Sequence, residues 1–436
     1  MSGLFRSDDN HVEAHVRSYY AATAIEGPPA SLLDSDAHAD ICVVGGGFTG
    51  LSAALRLQEL GARTILLESG PLGWGASGRN GGQVHVGMRR QQPWLEKAVG
   101  KDDARKLWTL ATDGRGFLDT LIDRYGVACS YRPGFLHADH KAAYAQHSRR
   151  IVEQLNVDYD YPYIRYVDRD EVRALVATDG YHGGTFDERG GHLHPLNLAL
   201  GIAAAASRAG ASLHPFSQAT GISRSGGRWR VTTARGSVTA DKLLLACGGY
   251  GTGFDAKVDS HVMPIRNYIG VTAPLGEECA RALINGSHCV ADSRFVLYYY
   301  RMTPDHRLLF GGGETYSYRS PRDIAAFVRP HIARVFPGLE SVPIDYAWGG
   351  TLSITTNRLP YMRELHPGLF NVSGFSGLGV VLAPYFGRVV GEAMAGDRAD
   401  FDQLAGLRIP GFPGGPLLRW PTMAAAMMFF ALRDRL

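Results

Sequence analysis

The run Ile41-Cys42-Val43-Val44-Gly45-Gly46-Gly47-Phe48-Thr49-Gly50 constrains the fold more than any other part of the chain. A short apolar, β-branched stretch passes directly into Gly45, Gly47 and Gly50 at GxGxxG spacing. Leu51 to Leu60 then reads as a helix ended by Gly61, and Thr64 to Glu68 as a second strand. A β-α-β unit of roughly thirty residues with this fingerprint binds a dinucleotide. Gly45 permits the tight turn, Gly47 lets the backbone approach a pyrophosphate at the helix N-terminus, and Gly50 allows close helix–strand packing. Phe48 and Thr49 open the helix. Glu68, 18 positions past Gly50, is placed to accept hydrogen bonds from a ribose. The pattern alone does not choose between NAD and FAD.

Three further segments make that choice. Gly75-Ala76-Ser77-Gly78-Arg79-Asn80-Gly81-Gly82-Gln83 follows the second strand, Lys242 to Gly248 is a distant strand ending in Ala-Cys-Gly, and Gly374 to Gly379 opens a late helix. A nicotinamide domain rarely draws contacts from the whole chain, whereas a long, flat isoalloxazine does. Gly377 to Gly379 would aim amides and a positive dipole end at the flavin edge where negative charge develops. The composition agrees: 54 of 436 residues are glycine, a frequency well above the usual ~7%. The glycines cluster at 45–50, 70–87, 248–253, 311–313 and 374–379, and the 311–313 group has no assigned role.

Charge and cysteine usage exclude other classes. Forty-five Lys+Arg against forty-two Asp+Glu leave +3, so nothing draws the chain to nucleic acid regardless of sequence. The five cysteines form no CxxC pair, which argues for a reducing, cytoplasmic setting and against a disulfide framework or zinc site. His192 and His194 lack a third ligand nearby, so no metal is expected. The N-terminus has no apolar core of a secretory signal. Trp420 to Leu432 is shorter than the ~20 residues that span a bilayer and reads as a terminal helix docked on the body.

The expected class is α/β, a Rossmann-like FAD-binding domain with a discontinuous substrate domain built on a mixed or antiparallel sheet. The FAD-binding domain takes 38–90, 190–256 and 345–400. The substrate domain takes 91–189 and 257–344. A lead-in covers 1–37 and a docked tail 401–436. Helices are expected at 102–124, 140–155, 196–208 and 382–395, and strands at 242–247, 295–300, 308–310 and 369–372, with others around 212–233.

The order of these elements resembles the FAD-dependent amine and amino acid oxidases of the D-amino acid oxidase superfamily. The likeness extends through Ser18 to Ala22, Gly75 to Gln83, Tyr131 to Gly134, Gly191 to Leu198, Tyr299 to Arg301, Gly311 to Gly313, Trp348 to Pro360 and Phe412 to Gly415. The lead-in, HPLNL and PGG segments narrow it to the gamma-glutamylputrescine oxidase subgroup. The resemblance implies further flavin contacts from Ser69, Ala219, Ala246, Gly248, Leu378 and Val380, and noncovalent FAD. Relatives place a carboxylate-clamping Arg where this chain has Leu352, a carboxylate-binding Lys at Val381 and an oxygen-activating Lys at Leu309. Their flavin-linking Cys falls near Thr351, and this chain has no Cys after Cys289. The substrate then lacks the usual α-carboxylate clamp.

Six residues are candidates for the reacting side. Gln83 and His85 follow the flavin loop. Tyr298 and Tyr300 share a strand face by the period of two and could form an aromatic pocket. Arg301 follows them as a carboxylate partner or structural ion pair, and Trp348 is a pocket wall. The expected activity is oxidative deamination of a gamma-glutamylputrescine-like or related alkylamine, with O2 or an electron carrier as acceptor. A secondary amino acid such as L-pipecolate is the alternative, with Arg301 or Arg79 as carboxylate partner. A non-catalytic flavin-binding protein is the third reading.

Overall fold

The computed structural model describes residues 13–315 and 320–416, with 418, 419 and 421. Four parallel strands, Thr64–Leu67, Ala37–Val44, Ser237–Leu245 and Leu369–Ser373, form the centre of one sheet. Ser212–His214 adds in parallel beyond the first, and Tyr361–His366 pairs antiparallel beyond the last. Residues 41–44, 64–67 and 243–245 are buried throughout, as strands covered on both faces require. Val44 lies opposite both Leu67 and Leu245, and Leu245 opposite Asn371, so the carboxyl ends finish nearly level. Helices Phe48–Glu59, Pro195–Arg208 and Gly379–Ala395 bury their apolar faces in the same core.

The second sheet runs Ile344–Ile354, Met263–Thr272, Leu308–Thr315, Tyr299–Met302, Cys289–Asp292, Arg132–Ala138, Gly183–His192 and Gln83–Val84, with Ile164–Asp168 also paired to Gly183–His192. Its two faces go to different cores. Ile269, Val271, Leu309 and Trp348 join the large core, while Tyr268, Tyr300, Leu308 and Phe310 pack under the helix Ile324–Val335. Strand Ile344–Ile354, which the sequence groups with the cofactor unit, is thus an edge strand of the second sheet.

Two elements differ from their sequence expectation. The run 295–300 is not one strand: Asp292 accepts from the backbone N–H of Arg294 (3.2 Å) and Tyr298 (3.0 Å), holding 293–298 as a turn before Tyr299 starts the strand. The lead-in, given no element from sequence, holds one: Ser18 caps a short helix, Tyr19–Ala22, and Tyr20 is fully buried against Trp348 and His194. Most of the 420–432 segment lies outside the described residues. Among the described residues no helix is long and apolar enough to cross a membrane.

Candidate active site

A cleft of about 1220 Å³, counted to its open mouth, lies outside the carboxyl ends of the parallel strands, where open α/β sheets hold ligands. Each strand contributes the loop that follows it. Gly45, Gly47, Phe48 and Thr49 come from the first, and Glu68, Ser69, Ala76, Ser77 and Asn80 from the second. Ala219, Ala246 and Gly248, and finally Gly377, Gly379 and Val380, come from the other three. All of these were assigned to the cofactor from sequence. The loops also bring in Trp74, Gln218, Cys247, Tyr250, Phe254 and Phe375, and strand Ile344–Ile354 adds Ser353, all of which sequence reasoning missed. Their only signal was a position within a few residues of a strand end.

The remaining assigned residues support the cleft without lining it. Gly50 faces the strand: a Cβ there would lie 1.9 Å from the Gly45 carbonyl oxygen. Arg79 donates from Nε to the Trp74 carbonyl (2.7 Å) and lies over its ring. Gly81 and Gly82 turn the chain toward the second sheet, with the Gly82 N–H donating to Asn80 Oδ1 at 2.8 Å. Gln83 is buried and its amide donates to the Val290 carbonyl (2.7 Å). Leu378 caps the helix Gly379–Ala395 without a side-chain hydrogen bond.

The cleft fits a dinucleotide. The N-cap of the helix Phe48–Glu59 is Gly47, which has no capping side chain; Ser77 Oγ takes the Phe48 N–H, and the positive end of the helix dipole lies at the cleft. A Cβ on Gly47 would meet Ser77 Oγ at 2.8 Å, so only glycine leaves backbone exposed there. Buried Glu68 accepts from the Gly46 N–H (2.6 Å), Ser69 Oγ (2.9 Å) and the Gly70 N–H (3.0 Å). A carboxylate has about four lone-pair sites, so one stays available for a ribose hydroxyl. Glu68→Ala is expected to weaken FAD binding by roughly 10- to 100-fold, because it removes that acceptor and orphans three loop donors. Titration of apoprotein with FAD checks this.

On the second sheet, Tyr298 and Tyr300 point away from the cofactor side. Tyr300 stacks on Phe310 and donates to Tyr181, and Tyr298 packs between Phe310 and His331. The intervening Tyr299 takes the cofactor-side face. Its ring lies across Gly81 and Gly311, where a Cβ would come within 2.5 Å and 1.9 Å of ring carbons, and its hydroxyl donates to Asn267. The 311–313 glycines thereby gain a role at Gly311. Tyr299 packs with Phe135, Cys289, Ala291 and Leu297 into an apolar patch.

His85 borders this patch, half-buried and edge-on to Phe135 at 4.2 Å, with His137 two residues along the same strand face. Burial, then Arg89, pushes His85 down to about 3 and His137 to about 4. Arg301 is buried, and donates to the carbonyls of Gly81 (3.2 Å), Leu193 (3.2 Å) and Met302 (3.4 Å) and to the Tyr20 hydroxyl (3.3 Å). It ties the flavin loop, HPLNL segment and lead-in together rather than reaching toward a ligand. Trp348 is likewise internal, donating from Nε1 to the Arg79 carbonyl at 2.9 Å. His194 caps the helix Pro195–Arg208 by accepting from the Asn197 N–H, and His192 bonds the Ser287 carbonyl.

A family model described as "FAD dependent oxidoreductase", DAO, matches residues 40–393. The chain is 38% identical over 418 residues to "Probable oxidoreductase OrdL" of Rhizobium meliloti (strain 1021), covering 96% of this chain and 97% of that protein. It is 38% identical over 426 residues to "Gamma-glutamylputrescine oxidoreductase" of Escherichia coli (strain K12), covering 97% and 99%. Among solved structures, glycine oxidase from Bacillus cereus ATCC 14579 superposes with a TM-score of 0.70 at 18% identity, over 85% of this chain and 98% of that one.

Proposed function

The chain belongs to the DAO family of FAD-dependent oxidoreductases, with FAD as its cofactor, and we propose that it oxidatively deaminates a gamma-glutamylputrescine-like amine or a related alkylamine. The observation that carries this reading is the character of the cofactor-side face. Tyr299, Phe135, Ala291 and Leu297 offer apolar walls, Leu352 lines the cleft, and Arg301 is committed to carbonyls. Such a face suits an alkyl chain, and the Arg301 guanidinium is not offered to an α-carboxylate. The secondary amino acid reading loses Arg301 as a partner, and its other candidate, Arg79, donates to the carbonyls of Trp74 and Gly349.

Bound FAD supplies a two-electron acceptor for the hydride leaving the amine's α-carbon. The residues of the chain hold and desolvate the amine. Tyr299, fixed by Asn267 and by the two glycines beneath its ring, acts as a wall for the reacting carbon. Loss of hydride gives an imine, and water converts it to aldehyde and ammonium. With O2 taking the two electrons the balance closes on H2O2. The reading includes a noncovalent cofactor and a cytoplasmic setting, supported by five unpaired cysteines. An amine panel tests it: one aldehyde and one peroxide per amine consumed are expected from the gamma-glutamylated diamine. Turnover of L-pipecolate with none of any primary amine overturns it.

The site also has a pH signature. His85 and His137, with Arg89, His140 and His147 around them, are neutral above about pH 4. Neither titrates between pH 5 and 9, and a patch that holds two histidines neutral disfavours a cation. The substrate therefore reacts as free amine. The kcat/KM profile is expected to rise toward the amine's own pKa, near ~10.4 for a lysine-like amine, and to shift when an amine of lower pKa is used. A limb near 6.5 that stays fixed between substrates contradicts this.

A further inference from the structure

Trp74 lines the cofactor cleft, is 5% exposed, and its indole Nε1–H has no acceptor among the described residues. Two other tryptophans satisfy theirs internally: Trp348 donates to the Arg79 carbonyl and Trp229 to the Pro367 carbonyl. An indole nitrogen can only donate, and a buried donor left unmade is costly enough that native proteins rarely keep one. The Tyr250 ring, 5.3 Å away and steeply inclined, offers at most a weak π acceptor.

The surroundings specify what the missing acceptor is. The Gly73 N–H donates to the Gly46 carbonyl (2.8 Å), and Ser77 Oγ accepts from the Phe48 N–H (2.9 Å). The segment carrying Trp74 is therefore strapped across the N-terminus of the helix Phe48–Glu59, where backbone amides favour an anion. The Arg79 guanidinium lies 4.0 Å over the indole, held by the Trp74 carbonyl itself. A cation on the ring face draws electron density from the indole and strengthens its N–H as a donor.

We propose that the Trp74 indole N–H donates a hydrogen bond to a phosphate oxygen of bound FAD, with Arg79 as the positioning residue that polarises and fixes the ring. This concerns the cofactor and stands whichever amine is oxidised. Trp74→Phe keeps the aromatic face for Arg79 and removes only the donor. Titration of apoprotein with FAD is expected to show affinity weakened by about 10- to 100-fold, the range for a hydrogen bond to a charged group. The 31P resonances of FAD bound to the variant should also shift from those of the wild type. Unchanged affinity, or weaker binding with both phosphorus resonances unmoved, overturns the proposal. If the variant does not fold, indole N–H resonances of the wild-type protein decide. One is expected to move downfield when FAD is added to apoprotein, and none moving overturns the assignment.

Discussion

Gly311→Ala is expected to lower kcat/KM for the amine by at least about 100-fold while FAD stays bound. The added methyl would lie 1.9 Å from Tyr299 Cζ, so the ring must leave its place across Gly81 and Gly311. The strand cannot retreat, because Gly311 is paired with both Ile269 and Tyr299 in the middle of the second sheet. Displacing a substrate wall by about 1 Å is enough to cost ~100-fold, since the reacting carbon leaves its near-attack position. Tyr299→Ala should cost a similar amount, and the double variant little more, because both changes remove one wall. Steady-state kinetics with the flavin absorption spectrum as a control checks this. Full activity in Gly311→Ala places the reacting face elsewhere.

Gly50→Ala is expected to yield protein without cofactor. Its Cβ would lie 1.9 Å from the Gly45 carbonyl oxygen and 3.1 Å from a Val43 methyl. The first of these is backbone within the fingerprint loop, so the helix Phe48–Glu59 must move off the strand and carry the Gly45–Gly47 amides with it. Overpacking of this kind costs about 1–3 kcal/mol in stability, roughly 1–3 °C in melting temperature for a chain of this size. The loop shift removes the pyrophosphate site besides. The visible absorbance per protein and the melting curve read the two effects separately.

The cofactor half of the site was legible because its determinants are local. A strand, a glycine spacing and an acidic residue at the next strand end fix where a dinucleotide lies, and the residues flanking each later strand end converge on it through parallel pairing. The substrate half was not legible in the same way. Tyr298, Tyr299 and Tyr300 are consecutive aromatics, so alternation names two faces without saying which is turned to the cofactor. The turn held by Asp292 sets the strand's start, and the helix Ile324–Val335, distant in sequence, covers the face that takes Tyr300. Arg301 reads as carboxylate partner or structural ion pair, and only the fold puts the carbonyls of Gly81 and Leu193 around it. Trp74 and Tyr250 escaped notice because nothing in their spacing marks a side chain that long-range packing turns into a cleft.

On the proposed function, an amine with an alkyl chain and no α-carboxylate at the reacting end delivers its electrons in this cleft. Anaerobic titration of the holoprotein with a gamma-glutamylated diamine, following the flavin's visible band, tests it most directly. Bleaching is expected to be complete at one amine per flavin, with one aldehyde formed. A band that persists at saturating amine, yet bleaches with dithionite, contradicts it.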